Sequence, residues 1–256
     1  MSSSVRVVLG GTFDRFHIGH EALLRTAFAT GDVVAIGLTT PRFLATHPKP
    51  GADRIEPYAR RRRRLSTWLR RNFPGRRYRV VRLDEPLGRS VEPGWDVLVV
   101  SADTRTGAAR VNRERRRRGL PALRTVVVPL VLADDLAPVS SRRIRAGEVS
   151  RTGRRGSRID VRLVLPPDAP ELPWRRAVRA IFPKARFGAT RARGRPAPER
   201  LVVTVRRAAA HRGTIAVRAG PVGLAPRSFP WPEDPATTVR RVWPRGRGPV
   251  GPARKG

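Results

Sequence analysis

An α/β fold is what this sequence predicts: a doubly wound parallel sheet followed by a small basic α+β extension. Three observations predict it. Apolar runs of strand length alternate with amphipathic, helix-length runs as far as residue 145. The first such run ends in Gly10-Gly11, and a helix opens a few residues later. Beyond about residue 149 the texture changes to a proline-dense, arginine-rich one, with 15 of the 25 prolines after residue 150.

Taken in order, residues 5–9 read as the first strand and 21–30 as the first helix, with Ala22, Leu23, Ala27 and Phe28 on its apolar face and Gly31 ending it. Residues 33–38 are the second strand. The segment 41–57, with four prolines, reads as a mobile loop. Residues 58–73 form a basic helix that turns Leu65, Trp68 and Leu69 inward. Strands follow at 78–83 and 95–100, a helix at 104–118 ended by Gly119, and a strand at 125–131. Residues 140–145 read as a helix start with Ser140 or Ser141 as N-cap. In the second half, strands are expected at 160–165, 201–205 and 214–217, and a helix at 174–182. The expected division is a domain over 1–150, a linker over 151–158, a small basic domain over 159–243 and a disordered tail over 244–256. On that division a fragment ending near Ser150 folds alone and keeps the chemistry.

The chemistry is expected at the first junction, GGTFDRFHIGH. A strand that ends in a glycine turn before a helix presents free backbone N–H groups and the positive end of a helix dipole. Gly10 and Gly11 let the backbone approach a ligand. Thr12 offers a hydroxyl to a phosphate, and Asp14 organises the loop through backbone amides. His17 and His20 stand three apart on one face of the entering helix, with Gly19 leaving room between them. A histidine donates to phosphate in either protonation state. His47 and His211 belong to no motif and read as surface residues.

Composition narrows the classes. With no cysteine, a disulfide framework, a cysteine nucleophile and a thiolate metal site are excluded. No apolar run approaches membrane-spanning length and no leader pattern opens the chain, so a cytoplasmic protein is expected. No cluster of acids suggests a dedicated metal site. The net charge is +34, almost entirely arginine. Residues 1–150 carry 29 basic and 14 acidic side chains, and the remainder 25 and 6. Such a field attracts polyphosphates and nucleic acids alike. The arginine runs 60–64 and 115–118 read mostly as solvated helix faces. With few aromatics interleaved, weak, sequence-blind nucleic-acid binding is the expectation.

Five landmarks resemble those of the archaeal and eukaryotic phosphopantetheine adenylyltransferases, within the HxGH nucleotidyltransferases. GGTFDRFHIGH is followed by IGLT at 36–39, EPY at 56–58 before the arginines (the family's PYxxR), VVSADTRTGAARVNRERRRRGL at 99–120, and VPLVLADDLAPVSSRRIRAG at 128–147. Asp103 stands where glutamate is usual, and Arg142 where threonine is usual, which removes one hydroxyl from the phosphate-binding loop.

The resemblance implies a Rossmann-like nucleotidyltransferase fold and adenylyl transfer from ATP, carried as its Mg2+ complex, to 4′-phosphopantetheine. His17 and His20 would contact the nucleotide phosphates, aided by Thr12 and by Lys49 as the phosphate-bridging loop lysine, with Arg42 and Arg54 as substitutes. Ser140, Ser141, Arg143 and Arg145 would hold the outer phosphates. Ser101 and Thr104 would line the nucleotide site, and Arg105 and Arg115 would bind phosphate, with Asn112 orienting one of them. Two alternatives stay open: another HxGH enzyme, such as a nicotinamide-mononucleotide adenylyltransferase or a cytidylyltransferase, and a nucleic-acid-binding protein on an inactive version of the fold. Residues 169–187 and 217–224 resemble a helix, strand and glycine turn of the inosine/xanthosine triphosphatase-like family, without clear counterparts of its metal-binding carboxylates.

Overall fold

A computed structural model describes residues 4–49, 51–188, 201–209, 212–219, 222–224, 226–231 and 233–243. The expected tail at 244–256 and His211 lie outside the described residues. The chain divides into two compact units. The first comprises Met1–Val131 and Ser140–Arg145, the second Leu132–Val139 and Ala146–Gly256.

The first unit runs β1 Arg6–Gly11, α1 Ile18–Thr30, β2 Val33–Thr39, α2 Pro41–Thr46, α3 Tyr58–Asn72, β3 Arg77–Leu83, β4 Val97–Ser101, α4 Arg105–Arg117, β5 Arg124–Val128 and α5 Ser141–Arg145. All five strands are parallel in the order β3-β2-β1-β4-β5. The period-2 alternation sets the two faces. Val7, Leu9, Val34, Ile36, Leu38, Val97 and Val99 face α1 and α3, meeting Leu24, Phe28, Leu65 and Leu69. Val8, Ala35, Leu98 and Val100 face the other way, toward Ala108 and Val111 of α4. Strand order reverses at β1. The carboxyl ends of β1 and β4 therefore flank the crevice in which doubly wound sheets bind ligands.

Three sequence expectations change in this unit, the first being that the strand expected over 125–131 ends at Val128. The proline-rich 41–57 segment contains a helix, because Pro41 occupies its first turn, where no N–H is needed, and Thr40 Oγ1 caps Phe43 N at 3.3 Å. Trp95 precedes β4 instead of starting it.

The second unit holds β6 Ile159–Val164, α6 Glu171–Ile181, β7 Ala185–Phe187, β8 Leu201–Ala209, β9 Arg212–Ala219, β10 Val222–Gly223, β11 Arg227–Pro230 and α7 Pro235–Val242. Its mixed sheet has the order β10-β9-β8-β6-β7, and β11 also pairs with β9. Ile159, Val161, Leu163, Val203 and Val217 form one buried face, packed with Trp174, Val178 and Phe182 of α6 and with Val239 and Val242 of α7. Residues 151–158 are more ordered than a linker. Ser150 N donates to Arg154 O at 2.7 Å, Val149 bridges Arg155, and Arg155 pairs with Asp135. Among the described residues no helix is long and apolar enough to cross a membrane.

Candidate active site

The loop after β1 is built around a buried carboxylate. Asp14 is 1% exposed. Its Oδ1 accepts from Glu56 N at 2.9 Å and its Oδ2 from the Arg145 guanidinium. Phe13 and Arg15, on either side, have φ of 49° and 46°, a left-handed conformation that costs free energy in a non-glycine residue. The carboxylate and its partners hold the turn in that shape, which confirms Asp14 as the loop organiser. Room at the two glycines is filled by protein. A Cβ on Gly10 would meet Leu83 Cδ2 at 3.1 Å, and one on Gly11 would meet the Phe13 ring at 3.0 Å.

His17 is the N-cap of α1. Its Nδ1 accepts from Gly19 N at 3.1 Å, so a neutral His17 carries its proton on Nε2. That nitrogen lies 3.5 Å from Ser141 Oγ, and Ser141 in turn donates to Asp14 O at 2.6 Å. His20 stacks on His17 with ring centroids 3.9 Å apart and rests against Phe13 and Phe16. Its Nδ1 is buried with no hydrogen-bond partner among the described residues. Burial, then the neighbouring His17 and Lys49, hold its pKa well below the ordinary imidazole value, so His20 is neutral at neutral pH.

Lys49 reaches back across the loop and donates from Nζ to Thr12 Oγ1 at 2.8 Å. Partial burial of the amine, then the charges of Arg61 and Arg145, lower its pKa, and Asp14 opposes them. Gly51, at φ 69°, brings this loop within 3.5 Å of Arg145 Nη2, measured from a Cβ built on the glycine. Thr12, Asp14, His17, Gly19, His20, Lys49, Ser141 and Arg145 thus share one site, drawn from the loop after β1, the start of α1, the loop after α2, and α5.

The other expected residues fall as follows. Ser140 caps α5 through Arg143 N at 3.4 Å. The Arg143 side chain is buried and Arg142 is exposed. Ser101 and Thr104 sit at the carboxyl end of β4, their hydroxyls 3.1 Å apart, and exposed Arg105 opens α4 beside them. His47 is exposed, with Nδ1 2.9 Å from Thr46 Oγ1.

Arg115, expected to bind phosphate, instead holds backbone carbonyls. It is 1% exposed and donates to Pro121 O, Ser90 O and Glu92 O at 2.6 to 2.8 Å. It lies in the last turn of α4, at the far end of the helix from Ser101 and Thr104. Buried carbonyls need donors, and the guanidinium fork supplies three. Asn112 likewise brackets Leu123, through Leu123 O and N, and orients neither arginine.

The residue that sequence reasoning missed is Arg61, placed among solvated arginines but 1% exposed. It donates to Thr12 O at 2.7 Å, Thr39 O at 2.9 Å and Glu56 O at 2.8 Å. It therefore joins the β1 loop, the end of β2 and the start of α3. The signal lay in the PYxxR landmark, whose arginine is Arg61. Glu56, beside it, carries Arg64 at 2.7 and 2.8 Å.

A family model described as cytidylyltransferase-like matches residues 8–147. A phosphopantetheine adenylyltransferase from Pyrococcus horikoshii is 41% identical over 150 residues, covering 58% of this chain and 92% of that one. One from Methanothermobacter thermautotrophicus is 41% identical over 148 residues, covering 57% and 87%. A bifunctional phosphopantetheine adenylyltransferase/NTP phosphatase from Thermoplasma acidophilum is 38% identical over 149 residues, covering 58% of this chain and 44% of that one.

Proposed function

The chain belongs to the cytidylyltransferase-like family, among its phosphopantetheine adenylyltransferases, and from that premise we infer that it transfers the adenylyl group of ATP to 4′-phosphopantetheine. The products are dephospho-coenzyme A and pyrophosphate. The observation that carries this reading is the meeting of Thr12, His17, His20, Lys49, Ser141 and Arg145 around one strand-to-helix loop.

A phosphate oxygen of 4′-phosphopantetheine attacks the α-phosphorus of ATP in line. A new P–O bond forms, and the bond to the bridging oxygen of the β-phosphate breaks. Neither substrate needs covalent help from the protein. Catalysis consists of holding two polyanions together and stabilising the charge on the equatorial oxygens. Thr12 Oγ1 already accepts from Lys49, which leaves its own proton for a phosphate oxygen. Lys49 supplies a cation between the two substrates. His17 offers Nε2–H, and neutral His20 offers a ring donor with no further positive charge beside Lys49, Arg61 and Arg145. Ser141 and Arg145 close the side toward the leaving pyrophosphate. Ser101, Thr104 and Arg105, at the same carboxyl end of the sheet, flank the nucleotide. Magnesium would enter as part of the MgATP substrate and supply charge neutralisation there, and the described residues offer no cluster of acids and histidines to hold it separately. Asp14, the buried acid at the site, is committed to Arg145 and Glu56 N and serves the loop.

The test is pyrophosphate release with MgATP and a panel of acceptors: 4′-phosphopantetheine, nicotinamide mononucleotide and a phosphorylated alcohol used by cytidylyltransferases, the last with CTP as well. Release with 4′-phosphopantetheine alone supports the reading. Preferential use of another acceptor assigns the chain to a sister activity.

A further inference from the structure

The reverse end of the first sheet carries a second cationic concavity, of about 510 Å³. Its lining draws on the first residues of the strands: Arg6 of β1, Val33 and Ala35 of β2, Arg77 and Arg79 of β3. The candidate active site lies at the other end of the same strands. β2 has seven residues, about 20 Å of strand, and the lining runs from its first residue to the level of Gly37, the partner of Val81.

The strand register explains the cavity. Arg77 is paired with Val33, Arg79 with Ala35 and Val81 with Gly37, so these side chains share one face. Tyr78 and Val80 pack with the α1 and α3 core, and Tyr78 also contributes to the lining. The floor is therefore apolar strand, and guanidiniums stand along its edge. Arg6 is held in place from two sides. Its Cζ lies 5.0 Å from the centroid of the Trp95 ring. Gly94, at φ 78°, lets Nη1 come within 2.6 Å of where a Cβ would be. Arg89 completes the rim and pairs with Glu92. No carboxylate is among the described lining residues. The nearby Asp96 and Asp32 accept from backbone amides, Arg6 N and Val5 N.

We propose that this concavity is a second, non-catalytic site for a nucleoside polyphosphate, with its phosphates on Arg6, Arg77 and Arg79 and its base on the apolar floor beside Trp95. Arg6, Arg77 and Arg79 select a polyanion, since each charge-assisted hydrogen bond to phosphate is strong. The volume suits a nucleotide. Val33, Ala35 and Val81 give a base an apolar surface, so the site reads phosphate number and the presence of a ring. Affinity falls with salt because Arg77 and Arg79 are exposed.

The experiment is equilibrium dialysis of the full chain with GTP, ATP, GMP and inorganic tripolyphosphate, repeated on Arg77→Glu/Arg79→Glu and on the milder Arg77→Ala/Arg79→Ala. The expected result is that GTP binds more tightly than GMP and tripolyphosphate. The double glutamate variant weakens GTP roughly tenfold or more, and the double alanine variant weakens it less. Adenylyl transfer by both variants stays within about twofold of the parent. Three results would overturn the proposal: no GTP bound by the parent, equal GTP affinity in parent and variants, or tripolyphosphate binding as tightly as GTP. A single-stranded oligonucleotide that displaces GTP at far lower concentration would also overturn it, in favour of a nucleic-acid surface. Failure of adenylyl transfer in the parent would count against the proposed reaction and leave this site standing.

Discussion

Arg145 and Asp14, 131 residues apart in sequence, form a buried ion pair, with side chains 7% and 1% exposed. Through this pair α5 fixes the loop that carries Thr12 and leads to His17. Because Asp14 also binds Glu56 N, three separate chain segments set one loop conformation.

Arg145→Met should both destabilise the protein and slow the reaction. It leaves a buried carboxylate without its cation, which costs about 3 kcal/mol. Denaturant melts and steady-state kinetics on one preparation check this. Unchanged stability with lost activity would mean that Arg145 serves substrate alone.

His20→Ala should lower kcat by roughly a hundredfold, the scale of losing one donor to a transition-state oxyanion, with a smaller change in nucleotide affinity. Turnover within a few-fold of the parent would remove the stacked histidine pair from the centre of the account.

The depressed pKa of His20 has a signed consequence. Below the ordinary value of 6.5 the unfolded chain takes up a proton that the native state refuses. Stability therefore falls as pH drops from 6.5 toward the native-state value, and this contribution levels off below it. His20→Asn should flatten that part of the profile. Melts from pH 7.5 to 5 measure it, and a parent no more acid-sensitive than the variant would contradict the assignment.

Truncation at Ser150 should impair the reaction, contrary to the sequence expectation. The chain leaves the first unit at Leu132, gives Asp135 to Arg155 and Asp134 O to the Trp243 indole at 2.9 Å, and returns to build α5. The fragment lacks Arg155 and Trp243, so Asp135, 5% exposed, and Leu136, 1% exposed, lose their surroundings. Activity should drop by about tenfold or more as α5 loses its anchored approach. A fragment as active as the full chain would show that 140–145 positions itself.

The first half of the fold was legible because its signals are local. Period-2 alternation marked the strands, and glycine turns marked their ends. Arg61 and Arg115 were not legible by composition. In a run of arginines the buried one looks like its neighbours, and only the carbonyls it reaches, on segments far away in sequence, set it apart. Helix α7 was hidden by its prolines, although Asp234 caps Thr237 N at 2.9 Å and Pro235 sits where a first turn accepts it. β11 pairs with β9 across the sheet, a register that no local pattern specifies.

The most direct measurement runs the proposed reaction backwards: purified protein, dephospho-coenzyme A and magnesium pyrophosphate, with ATP formation followed by luminescence. ATP should form with dephospho-coenzyme A, nearly vanish in His20→Ala, and form little or not at all when NAD replaces dephospho-coenzyme A. ATP formed from NAD and not from dephospho-coenzyme A would contradict the proposed reaction.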